Sequence, residues 1–264
     1  MKNLSWILVL AVLAACNNNS ENSNGGDGEK PPVTPLISYS ILDTFPHDTA
    51  SFTEGLLFYK GDLYESTGIK GTSRIMKVDL KTGKTNTLVN LDSAYFGEGI
   101  VIINDTIYQL TYQEKVGFMY NLNGKKLGEF KFASEEGWGM TTDGKQIIAS
   151  DGTSNLFFYE PGTFKLLRQQ GITENGAFAS NINELEYIDG YVYANQWQSP
   201  YILKIDPSNG LVVAKIDLSE IANRIRNTYP YAELLNGIAY DPSSKKIYIT
   251  GKHWPEMYGI QLGQ

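Results

Sequence analysis

Glu54, Glu98, Trp138, Asn183 and Asn236 occupy one position of a segment that recurs five times along the chain. Each of the first four lies ten residues before Tyr64, Tyr108, Ile148 or Tyr193, and Asn236 lies twelve before Tyr248. Fourteen residues after Glu98 and Asn183 come Tyr112 and Trp197, and sixteen after Asn236 comes Lys252. The other two equivalents are Gly68 and Gly152. If the repeats share one axis, two carboxylates, two Trp, two Asn, a Lys and a Tyr meet in one pocket. Aromatic walls with a few placed polar groups suit a small polar ligand with an apolar stem. A purely structural repeat favours like residues at equivalent sites, and these differ from repeat to repeat.

The elements that must position them follow from the period. Spacings of 44, 40, 45 and 53 residues between repeat starts lie close to the roughly 40–45 of propeller repeats. Each repeat opens with an apolar run, a turn and a second alternating run. Gly61-Asp62, Asn104-Asp105, Asp143-Gly144 and Asp189-Gly190 are the hairpin signals between them. Arg74-Ile-Met-Lys-Val and Thr85-Asn-Thr-Leu-Val supply third and fourth strands in the first repeat, as Tyr201-Ile-Leu-Lys-Ile and Leu211-Val-Val-Ala-Lys-Ile do in the fourth. The pattern predicts an all-β, five-bladed propeller of four-stranded antiparallel blades. First strands line the channel and second strands return beside them, so both columns meet at one mouth. The long last spacing contains Ser219-Glu-Ile-Ala-Asn-Arg-Ile-Arg, read as a short helix with Ser219 at its N-cap. The fifth repeat has room for only three strands. Residues 37–42 alternate suitably to supply the fourth and close the ring, leaving no long exposed edge.

The remainder of the chain bounds the partners. A net charge of −7 with no basic block excludes a nucleic-acid footprint. Lys2, an apolar run over residues 6–13 and Leu13-Ala-Ala-Cys16 resemble a bacterial lipoprotein signal with its lipobox. Cys16 is the only cysteine, so the body contains no disulfide and no thiol nucleophile. The expected organisation is a signal segment over 1–16, a flexible Asn/Ser/Gly-rich tether over 17–36 and a propeller over 37–264. That describes a monomer on a lipid leash at the bacterial cell envelope, periplasmic or surface-exposed. His47 and His253 are too few and too far apart in sequence for a His-rich zinc site. There is no P-loop and no Gly-x-Ser-x-Gly elbow.

Phe52-Thr-Glu-Gly-Leu, Tyr64-Glu-Ser-Thr-Gly, Phe96-Gly-Glu-Gly, Val116-Gly-Phe, Gly137-Trp-Gly-Met-Thr-Thr-Asp-Gly, Asn183-Glu-Leu-Glu, Ala194-Asn-Gln-Trp197, Leu235-Asn-Gly-Ile-Ala and Thr250-Gly-Lys-His-Trp are distributed through residues 45–262, across all five repeats. Together they resemble the plant and bacterial type of glutaminyl-peptide cyclotransferase. The resemblance implies a five-bladed propeller that converts N-terminal glutaminyl residues of peptides to pyroglutamyl with release of ammonia, without a metal or other cofactor. It implies that Glu98 is the acid/base and that Phe52, Glu54, Trp138, Asn183, Trp197 and Lys252 belong to the substrate pocket, to which the columns add Tyr112 and Asn236. Two positions depart from the family pattern: Glu54 stands where many members carry Gln, and Tyr112 where many carry Trp.

The implied chemistry is intramolecular, so orientation supplies much of the rate. One carboxyl can take a proton from the α-ammonium and return it to the departing nitrogen. Burial between Trp rings and a neighbouring Glu54 raise the pKa of Glu98, and Lys252 opposes that. Asn183 and Lys252 are candidates for the γ-amide oxygen, and Glu54 for the substrate ammonium. Two other readings remain open from the residues alone. Glu54, Glu98, Asn183 and Asn236 carry the oxygen ligands of a calcium-dependent propeller lactonase, although Lys252 would bring a cation into the metal site. A non-catalytic peptide- or glycan-binding propeller needs only the same mouth.

Overall fold

A computed structural model describes residues 33–263 of the chain. Cys16 and most of the expected tether lie outside the described residues.

Among the described residues the first strand is β1 (Tyr39–Pro46), and the blades then follow in sequence order. Blade one is β2 (Thr53–Tyr59), β3 (Asp62–Thr67), β4 (Arg74–Val78) and β5 (Thr85–Asn90). Blade two is β6 (Gly97–Ile103), β7 (Thr106–Thr111), β8 (Gly117–Asn121) and β9 (Lys126–Phe130). Blade three is β10 (Met140–Thr142), β11 (Ile147–Ser150), β12 (Asn155–Tyr159) and β13 (Leu166–Gly171), followed by the small hairpin β14 (Thr173–Glu174) and β15 (Ala177–Phe178). Blade four is β16 (Ile182–Ile188), β17 (Tyr191–Gln196), β18 (Tyr201–Ile205) and β19 (Val212–Asp217). After α1 (Ser219–Thr228), blade five is β20 (Leu235–Asp241), β21 (Lys246–Gly251) and β22 (Glu256–Leu262), with β1 as its outermost strand.

Five apolar layers between successive blades hold the ring. Between blades one and two, Leu57, Tyr64 and Ile75 pack on Ile100, Ile107 and Phe118. The last layer sets Tyr248 and Met257 against Leu56 and Leu63 and so joins blade five to blade one. A blade is therefore covered on both faces, and β6 is buried at every residue instead of alternating. Helix α1 inserts Ile221, Ala222 and Ile225 into the layer between blades four and five.

The expected ring closure is present, with a shifted boundary. β1 pairs antiparallel with β22 from Tyr39↔Leu262 to Pro46↔Glu256. Residues 35–37 pair instead with blade four: Ile37 N donates to Lys215 O at 2.7 Å and Lys215 N to Pro35 O at 2.9 Å. The end of the expected tether is thus part of the fold, and the N-terminal segment clasps two blades. The first hairpin turns at Lys60-Gly61, one residue before the expected Gly61-Asp62. A two-residue turn of this type needs two left-handed residues, and φ is 52° at Lys60 and 86° at Gly61. Ser219 is the first helical residue and not the cap; Leu218 holds the cap position, and the Asp217 carboxylate accepts the Ser219 N–H at 2.9 Å.

Candidate active site

The innermost strands are irregular where the first column begins. The β2–β3, β6–β7, β16–β17 and β20–β21 ladders shift register at 53/55, 97/100, 182/185 and 235/238. Such bulges re-aim a side chain, and here they carry Glu54, Glu98, Asn183 and Asn236. In blade three, Trp138 precedes the short β10. Its N–H donates to Ser150 O at 3.1 Å and its carbonyl accepts Gly99 N–H at 2.7 Å.

The residue after each column position is glycine in four blades. A Cβ at Gly99 would lie 2.5 Å from Trp138 O, and one at Gly139 2.2 Å from Asn183 O, so the inner strands close up only around hydrogen. Blade four places Glu184 at that position. Its carboxylate accepts Leu56 N–H at 3.2 Å and Ile238 N–H at 2.8 Å, tying β16 to two other inner strands. Burial and the nearby Glu186 hold its pKa well above the usual range.

Phe52, Glu54, Glu98, Tyr112, Trp138, Asn183, Trp197 and Lys252 line one cavity of about 360 Å³. Eight of the nine expected pocket residues thus meet. Asn236 does not line it. Asn236 stands behind Glu54, donating from Nδ2 to Glu54 Oε2 at 3.0 Å and to Thr53 O at 2.9 Å.

Each oxygen of Glu54 has one partner. Lys252 Nζ donates to its Oε1 at 2.6 Å, with both side chains buried. Burial drives the Glu54 pKa up and Lys252 opposes it, leaving it at about 7. The Lys252 ammonium also lies 4.3 Å from the Phe52 ring centroid, a cation–π contact. Among the described residues, no protein group hydrogen-bonds the Glu98 carboxyl, although Glu98 is only 5 % exposed. Burial first, and the Glu54 carboxylate second, raise its pKa well above the ordinary value, against the pull of Lys252. Asn183 is buried with its Oδ1 unpartnered. The site therefore combines an unpaired protonatable carboxyl, a tethered ammonium and a free amide group.

The walls are aromatic and locked. Trp138 and Trp197 meet edge to face with centroids 5.7 Å apart, and Trp138 Nε1 donates to Glu136 Oε2 at 2.9 Å. Gly68 and Gly152, the two blanks of the second column, make room for these walls. A Cβ on Gly68 would sit 2.4 Å from the Phe96 ring, and one on Gly152 2.5 Å from the Trp138 ring.

Phe96, Glu233 and Leu234 also line the cavity and were not expected there. Phe96 and Leu234 stand two residues before Glu98 and Asn236, as Phe52 does before Glu54. A third column counted at that offset finds both. Glu233 lies in the insertion between α1 and β20, where the period carries no signal. His253 does not line the cavity; its ring meets Phe52 edge to face at 5.3 Å and its Nδ1 lies 2.8 Å from Thr49 O.

Comparison with known proteins gives a consistent result. The family model described as glutamine cyclotransferase matches residues 7–262. A glutaminyl-peptide cyclotransferase of Arabidopsis thaliana is 40% identical over 227 residues, which cover 85% of this chain and 71% of the plant protein. The crystal structure of Myxococcus xanthus glutaminyl cyclase superposes with a TM-score of 0.78 at 34% identity, covering 86% of this chain and 98% of that one.

Proposed function

The chain belongs to the glutamine cyclotransferase family, and from that premise we propose that its channel mouth cyclises N-terminal glutaminyl residues of peptides to pyroglutamyl with Glu98 as the proton shuttle. The observation that carries the role is the Glu98 carboxyl: buried, unpaired and raised in pKa. The substrate α-amine nitrogen attacks its own γ-carboxamide carbon. It attacks as the neutral amine; Glu98 takes the proton that this nitrogen sheds as the new C–N bond forms and gives it to the amide nitrogen as the old C–N bond breaks, so that ammonia leaves. No co-reactant is needed. The oxygen that gains charge is met by Lys252, which has two N–H groups beyond the one given to Glu54, and by the Asn183 amide. Glu54 anchors Lys252 through Oε1 and is itself held by Asn236 through Oε2, with one further acceptor site on each oxygen for the substrate ammonium. Trp138 and Trp197 clasp the glutamine stem and exclude water.

Mass spectrometry of a Gln-initiated peptide tests the activity: a loss of ammonia is expected, and its absence ends the reading. Turnover in the presence of a chelator is expected to persist. Glu98→Gln is expected to lower kcat by roughly 10²–10⁴-fold; near wild-type turnover removes the shuttle. The lipobox motif at Cys16 supports lipid anchoring at the cell envelope, and the anchored protein is proposed to be a monomer. Metabolic labelling with a fatty acid, lost in Cys16→Ser, and size-exclusion chromatography check the two parts of that statement.

A further inference from the structure

The insertion that lengthens the last repeat has no part in the chemistry above. It builds a second cavity of about 330 Å³ beside the first. Glu233 and Leu234 line both cavities. On the facing side, Trp197 belongs to the first and Gln198, Ser199 and Pro200 to the second, so one turn serves both. The shared walls are fixed by backbone bonds. Glu233 N donates to Lys252 O at 2.8 Å, and Leu218 N to Pro200 O at 3.0 Å. Trp254 Nε1 donates to Glu233 O at 2.9 Å. The far wall is α1, which contributes Ala222 and, one turn on, Arg226.

Arg226 is exposed in the last turn of α1. Among the described residues no carboxylate pairs with it, whereas its neighbour Arg224 is paired with Glu256. A peptide whose first residue fills the catalytic cavity must leave past its rim, and the Glu233 and Trp197 side continues directly into this second space. Its floor is apolar, from Ala222, Ala232 and Leu235. Among the described residues, the unpaired Glu233 carboxylate stands at the neck shared with the first cavity and the unpaired Arg226 at the far wall, so a side chain reaching past the neck meets the positive charge. Resting on the glutamine-cyclising reading of the first cavity, we propose that the second is a subsite for the next residues of the substrate, selecting an acidic side chain at the second or third position through Arg226.

Steady-state kinetics on short C-terminally amidated peptides tests this. Gln-initiated peptides carrying Glu at position two or three are compared with the Gln and Lys versions, and glutamine amide reports cyclisation without the subsite. The wild type is expected to favour the acidic peptide about fivefold in kcat/KM, chiefly through KM, which is the upper range for an exposed ion pair. The preference is expected to fade at high salt, to survive in Arg226→Lys, to vanish in Arg226→Ala and to turn toward lysine in Arg226→Glu. Circular dichroism establishes that each variant is folded. Equal kcat/KM across the peptides, with glutamine amide still turned over, overturns the subsite and leaves the cyclisation standing. Failure on glutamine amide and on every peptide removes both.

Discussion

Lys252 Nζ and Glu54 Oε1 lie 2.6 Å apart at the floor of the cavity, and both side chains are buried. A buried pair gains little over an apolar pair, but removing one partner strands the other. Lys252→Met is therefore expected to cost about 3 kcal/mol of stability. Lys252→Met combined with Glu54→Gln is expected to recover most of that loss while remaining inactive. Urea unfolding of the two variants checks this; a double variant no more stable than the single one shows that the pair is not the source of the loss.

The same carboxylate sets the pH response of catalysis. Glu54 raises the Glu98 pKa, second only to burial. Removing its charge makes Glu98 easier to ionise. The acid limb of kcat/KM is expected to move to lower pH in Glu54→Gln, because the base form of Glu98 is then reached earlier. An unmoved limb separates Glu54 from the titration of the shuttle.

Gly68 offers a test aimed at the aromatic wall alone. Its φ is not in the left-handed region, and an added Cβ meets the Phe96 ring at 2.4 Å and the Phe52 ring at 3.1 Å. Gly68→Ala is expected to tilt these rings into the cavity. KM should rise by about tenfold, in line with ordinary overpacking costs, with kcat less affected. If kcat falls and KM holds, Phe96 is not a binding wall.

The arithmetic of the repeats made most of this site legible. Glu54, Glu98, Trp138 and Asn183 could be stacked because the hairpin between first and second strands keeps one length in four blades. Lys252 was found only by allowing for the longer fifth turn. The fold class followed from the same period. What the period did not carry was direction. Asn236 is equivalent to Asn183 in the column, yet it turns behind Glu54, because the buried carboxylate of the adjoining blade one, 182 residues back in the chain, requires a donor there. Glu184 was invisible as a structural group because its role is to cross the channel, a contact with no sequence spacing of its own. The insertion that carries Glu233 and Arg226 breaks the repeat, so its contribution to the mouth depended on where α1 packs.

His47 directly follows the closing strand β1 and is expected to make ring closure sensitive to pH. It is wholly buried, with Nε2 3.0 Å from Glu65 Oε1 and Nδ1 2.7 Å from Trp254 O. Burial lowers its pKa, but the Glu65 charge and hydrogen bond, the Trp254 carbonyl and Asp48 together raise it above the ordinary value. A histidine whose folded pKa is raised binds its proton more tightly in the native state, so its contribution is complete below about pH 6.5 and disappears as pH climbs through the raised value. Glu54 adds a similar fall at lower pH, between its ordinary 4.5 and about 7. The difference between wild type and His47→Gln isolates the histidine. The variant is expected to be less stable by about 3 kcal/mol at pH 6, since Glu65 loses a buried partner, and the gap should narrow steadily toward pH 9. Thermal melts across that range are the measurement, and a gap independent of pH would mean that the His47–Glu65 contact is held without a proton on the imidazole.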